Sequence, residues 1–138
     1  MTTSADRTSA DGGRDDVPEA AMVAARAADA KLGRDTVILG MADLLVVTDA
    51  FVVTTGANSR QVRTIVEEVE RQVKEQTGRS PWAVEGLRDL TWVLMDYGDF
   101  LVHVFGSEAR AYYDLERLWG DAPRVEITGT LAPQAPDD

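Results

Sequence analysis

The stretch Thr91-Trp92-Val93-Leu94-Met95-Asp96-Tyr97-Gly98-Asp99-Phe100-Leu101-Val102-His103-Val104-Phe105 decides the fold. It reads as two strands, Thr91–Asp96 and Phe100–Phe105, joined by Tyr97-Gly98-Asp99, whose glycine suits a tight hairpin. Side chains alternate along a strand, so Trp92, Leu94 and Asp96 share one face while Thr91, Val93 and Met95 share the other. One side of a sheet thus carries an aromatic beside a carboxylate.

Toward the N-terminus, Pro81–Val84 reads as a further strand. Before it, Ser59–Gln76 places Val62, Ile65, Val66, Val69 and Val73 at three- and four-residue spacing, with Glu67/Arg71 and Glu70/Lys74 able to pair on the opposite side. That pattern predicts an amphipathic helix, closed by Gly78. Thr36–Met41 and Ala50–Thr55 are β-branched, largely apolar runs too short for helices, and both predict buried strands. Asp16 with Glu19 three residues later and Pro18 in the first turn predicts a helix over Pro18–Leu32 that stops at Gly33. At the other end, Ser107 can cap a last helix with Ala111, Tyr112, Leu115, Leu118 and Trp119 on one face, terminated by Gly120 and Pro123. The resulting order is helix, two strands, helix, three strands, helix. An α+β fold follows, a mixed five-stranded sheet flanked by helices.

A chain of 138 residues, 44% apolar and 28% charged, fits one packed domain. The first 17 residues are polar and aromatic-free and predict a disordered tail. The domain is expected over residues 18–123. Residues 124–138 read as a mostly disordered acidic tail, in which Val125 and Ile127 could first add a short edge strand. The absence of cysteine makes a reducing cytoplasmic setting the simplest expectation. No apolar run is long enough to span a bilayer. A net charge of −10 disfavours bare nucleic acid and predicts a basic or neutral partner.

Several groups could carry chemistry. The Gly56-Ala57-Asn58-Ser59 turn leads from a strand into a helix N-terminus and could receive an anion. Phosphate chemistry there would also need carboxylates for a divalent metal, for which Asp96 and Asp99 are the nearest candidates. Across a glycine turn those two point in different directions, and charged hairpin tips are ordinarily solvated. His103 is the only histidine, so a histidine metal cluster is impossible and a structural role is favoured. Tyr112, Tyr113 and Trp119 read as core or dimer contacts. Arg60 and Arg63 sit in a first helical turn that disfavours cations, which hints at a local contact or a partner. Trp92 with acidic neighbours is either a hot spot for a basic surface or a side chain buried under a helix. An exposed aromatic and aliphatic sheet face also predicts self-association.

The ordered segments Thr48–Gly56, Asn58–Val62, Val84-Glu85-Gly86, Trp92–Asp99, Val102–Phe105 and Arg110–Trp119 resemble, in sequence and spacing, the ribosomal silencing factors of the Iojap family. The resemblance covers about Pro18 to Pro123. It implies a nucleotidyltransferase-like fold without the catalytic carboxylates, hence no enzyme activity and no cofactor or metal. It also implies binding to the fourteenth protein of the large ribosomal subunit, which keeps the small subunit from joining and represses translation when nutrients are scarce. On that basis Trp92, Leu94, Asp96, Tyr97 and Asp99 are expected at the ribosomal-protein interface, with Glu85 and Arg88 at its rim; the homodimer is expected separately, from the exposed sheet face. The alternative is a nucleotidyltransferase-like enzyme using the Gly56–Ser59 turn for phosphate and Asp96 or Asp99 for Mg²⁺.

Overall fold

Short β-branched runs cannot bury themselves as isolated strands, and here they assemble into one mixed sheet. The computed structural model describes residues 17–42, 48–112, 117, 120 and 122–128. In chain order the elements are α1 (Glu19–Ala30), β1 (Arg34–Gly40), β2 (Ala50–Gly56), α2 (Ser59–Thr77), β3 (Ala83–Glu85), β4 (Trp92–Asp96), β5 (Phe100–Gly106), α3 (Ser107–Tyr112) and β6 (Arg124–Val125). The sheet order is β3-β4-β5-β2-β1-β6. Only β2 and β5 run parallel, from Ala50↔Phe100 to Gly56↔Gly106, and the other pairings are antiparallel. Every residue of β2 is buried, as a near-continuous apolar run predicts for a central strand covered on both faces.

One face of the sheet packs on α1 and α2. Val62, Ile65, Val66, Val69 and Val73 of α2 meet Val52, Val93, Met95, Phe100, Val102 and Val104 there, and each such side chain contributes about 1.5–3 kcal/mol by leaving water. Asn58 caps α2 by accepting the Gln61 N–H at 2.9 Å, and Gly78 ends it in the left-handed conformation. Alanines at 20, 21, 24, 25, 27 and 28 are all buried, so α1 packs close against both α2 and the sheet. The opposite face carries Leu39, Met41, Phe51, Val53 and Phe105.

Four expectations need correction. The sheet has six strands rather than five, because Val125 and Arg124 pair with Ile38 and Leu39 of β1. α1 stops at Ala30, and Leu32 rather than Gly33 takes the left-handed conformation after it. Arg71 pairs with Glu68 at 2.6 Å and Glu75 at 3.0 Å rather than with Glu67, although all three lie within helical pairing distance along the sequence. Ala111 and Tyr112 are exposed, so they form no buried face; Tyr113, Leu115, Leu118 and Trp119 lie outside the described residues, as do Asp16 and the N-terminal tail.

Past Pro123 the chain still belongs to the fold. Val125 is buried, Ile127 packs on the core, and Arg26 donates to the Thr128 carbonyl at 2.8 Å across α1. Ending the chain at Pro123 is therefore expected to lower the unfolding free energy by about 2–4 kcal/mol, through lost apolar burial and an unpaired β1 edge. Urea denaturation of the two lengths measures it, and an unchanged midpoint would show that this strap adds nothing.

Candidate protein-binding face

The period of two along β4 turns Val93 and Met95 into the helix-covered core and leaves Trp92, Leu94 and Asp96 half-buried on the other face. Antiparallel pairing brings Trp92 beside Phe105, Leu94 beside His103 and Asp96 beside Leu101. On the far side of β4, Glu85 of β3 is paired with Leu94 and exposed. Arg88 and Leu87 are exposed in the turn that follows. The outer face of β3-β4-β5 thus has an aromatic and aliphatic centre, Trp92, Leu94 and Leu101, with Glu85, Arg88 and Asp96 around it.

Trp92 is held by more than packing. Its indole lies 5.0 Å from the Phe105 ring and 6.0 Å from the His103 ring, centre to centre, and its Nε1–H donates to His103 Nδ1 at 3.2 Å. Its face is the sheet face away from α1 and α2, and Ala109 of α3 packs on the same cluster as Trp92.

The hairpin tip splits the remaining expected contacts. Tyr97 is fully buried and stacks on Phe100 at 4.7 Å, so it supports the turn from inside and offers a partner no surface. Burial, with a smaller push from the Glu70 charge, raises its phenol well above the ordinary 10. Asp99 is half exposed and its carboxylate is taken by Arg79 at 2.6 Å. The same guanidinium donates to the Tyr97 carbonyl at 2.8 Å and lies 5.4 Å over the Phe100 ring. Sequence reading passed over Arg79, because its partners are 18 to 20 residues away. Asp96 accepts the Gly98 N–H at 2.8 Å, which shapes the turn. Trp82, at 79% exposed, is an exposed aromatic outside the expected set. Its indole lies over Gly98, where a Cβ would come within 2.7 Å of the ring, so only glycine accepts both this contact and a φ of +95°.

The geometry does not assemble the phosphate site. Gly56 lies at the C-terminal end of the parallel strand pair, whereas Asp96 and Asp99 flank the N-terminal end of β5, a seven-residue strand away or roughly 20 Å. An open cleft of about 450 Å³ does adjoin the turn, but it is lined by Asp89 and Glu108. Within the turn the Ala57 N–H is already occupied by the Gln61 side-chain oxygen at 2.6 Å. Among the described residues no three His, Asp or Glu side chains gather to hold a metal ion.

Comparison with known proteins gives this face its context. The family model described as ribosomal silencing factor during starvation matches residues 14–138. The ribosomal silencing factor of Halalkalibacterium halodurans is 40% identical over 114 residues, covering 83% of this chain and 97% of its own. The chain belongs to the ribosomal silencing factor family. Its family relative from Bacillus subtilis is 40% identical over 105 residues, 76% of this chain and 88% of the relative. A crystal structure of a Chromobacterium violaceum protein superposes with a TM-score of 0.71 at 33% identity, over 84% of this chain and 96% of that one. The α+β architecture is thus one already seen in a homologous chain.

This silencing-factor chain has a single histidine, and burial pushes its pKa from the ordinary 6.5 down to about 4. Unfolded, it titrates near 6.5, so between those values the unfolded chain binds a proton that the native protein refuses. The stabilisation is complete above pH 6.5, is lost as pH falls, and is gone once pH has passed below about 4. At 1.36 kcal/mol per unit the loss is about 3 kcal/mol. Unfolding free energies across this range in the parent and in His103→Phe should converge or diverge by that amount; parallel pH profiles would contradict it.

Proposed function

We propose that the protein docks on the fourteenth protein of the large ribosomal subunit through the outer face of β3-β4-β5 and keeps the small subunit from joining. The observation that carries the reading is the half-buried Trp92 on one face with Leu94, Asp96 and, farther along, Leu101 and Glu85, in a chain of the silencing-factor family. Aromatic anchors dominate interface energies, and a net charge of −10 steers the chain toward a basic ribosomal protein. A folded domain on an intersubunit surface acts by exclusion, so concentration and affinity set the degree of repression. In this reading the framework is nucleotidyltransferase-like but serves binding rather than catalysis, Tyr97 contributes from beneath the surface, and Asp99 and Arg88 lie at the margin. The site of action is the cytoplasm, where no membrane anchor is called for; no described helix is long and apolar enough to cross a bilayer. Off the ribosome the same face pairs two copies, so that docking requires the dimer to dissociate.

Sedimentation with purified subunits tests this. Co-migration with the large subunit and fewer joined ribosomes are expected, and no co-migration at micromolar protein would reject it. Light scattering on dilution, with and without large subunits, reports the dimer; a monomer at every concentration would remove that part.

A further inference from the structure

His103 is a costly residue for the place it occupies. It lies in mid-strand on β5, 5% exposed, with Phe51 edge-on at 4.8 Å, Phe105 stacked at 6.1 Å and Trp92 at 6.0 Å. An indole N–H can only donate, so His103 Nδ1, which receives it at 3.2 Å, is the unprotonated nitrogen of the ring. The ring proton therefore belongs on Nε2, and Nε2 is buried with no hydrogen-bonding partner. A buried, unpaired N–H detracts from stability, and the phenylalanine found at neighbouring positions would bring no such penalty. Packing alone does not account for an imidazole here. Among the described residues, the one hydrogen bond its ring makes is with the indole of Trp92.

We propose that His103 is a positioning residue for the binding face, holding the Trp92 indole in one orientation so that a partner meets a surface already set. The proposal rests on Trp92 being a contact residue, as read above. A half-buried indole without this bond has other staggered orientations open to it, and a partner would have to immobilise the ring on docking. With the bond, that ordering is complete in the free protein. Burial also keeps the imidazole neutral near pH 7 and so able to accept. His103 itself, almost wholly covered, acts on affinity through Trp92.

Two substitutions separate positioning from packing. His103→Phe keeps a ring and removes the acceptor, while His103→Asn puts an amide oxygen close to where Nδ1 stood. The readouts are the Trp92 indole N–H resonance, assigned by its loss in Trp92→Phe, and the affinity for large subunits. His103→Phe is expected to melt no lower than the parent at pH 7, to move the indole resonance toward that of a solvent-exposed indole, and to bind roughly tenfold more weakly. His103→Asn is expected to recover both resonance and affinity in part. Parent-like affinity in folded His103→Phe would overturn the proposal, provided that Trp92→Ala binds weakly. If Trp92→Ala also binds like the parent, it is the placement of the interface that fails, and the positioning role falls with it. Should His103→Phe not fold, hydrogen exchange in the parent decides: a Trp92 indole N–H exchanging as fast as that of exposed Trp82 would overturn the proposal, and slower exchange would support it.

Discussion

Replacing Trp92 by alanine is expected to weaken binding to the large ribosomal subunit by at least about 30-fold, the loss typical of a central aromatic hot spot. The indole is the largest side chain that β4 places on the outer face, with Leu94 two residues along the same face and the Phe105 ring beside it. Trp92 also touches the Phe105 ring, so the same substitution should lower the unfolding free energy by about 2–4 kcal/mol. Affinity must therefore be measured well below the melting temperature of the variant, with circular dichroism confirming the fold. Leu94→Ala, on the same face with less area, should weaken binding less. An unchanged affinity in folded Trp92→Ala would remove this face from the interface.

The second large effect is on folding. Gly86→Ala should destabilise the protein by about 3 kcal/mol or more. Gly86 has a φ of +97°, and a Cβ there would lie 2.2 Å from the Trp92 carbonyl oxygen. Neither the conformation nor the contact can be accommodated without moving backbone, because Gly86 follows β3 directly and its carbonyl accepts the Leu90 N–H at 2.9 Å. The strain falls on the start of β4, so surviving protein should also bind the large subunit poorly. Urea denaturation measures the loss, and a midpoint within error of the parent would mean that the turn yields easily.

These two positions differ in how visible they were. The Trp92 face followed from a period of two in five residues, and the structure keeps Trp92, Leu94 and Asp96 together as that period requires. Glu85 and Arg88 were expected at the rim on the family resemblance; strand pairing then set Glu85 beside Leu94, with Arg88 exposed in the turn after β3. Tyr97 was expected at the interface on the family resemblance, whereas its ring turns inward, buried and stacked on Phe100. The Arg79 clamp on Asp99 joins residues 20 apart across a loop, a separation for which local pattern carries no signal. Glycine at 86 matched the family resemblance, but its necessity appeared only with the Trp92 carbonyl beside it.

From sequence alone came the amphipathic α2, the burial of β2 and of the Ile38–Gly40 end of β1, the β4–β5 hairpin and the family. Each rests on local periodicity or on an ordered set of short motifs, and both survive without knowledge of distant neighbours. Only the tertiary structure decided that β2 and β5 run parallel, that β6 closes the sheet beside β1, that the Gly56 turn and the Asp96–Asp99 turn lie at opposite ends, and that His103 accepts the Trp92 indole N–H. Those features depend on which strand edges meet, and backbone hydrogen bonding is the same for every residue type, so it writes no register into the side chains.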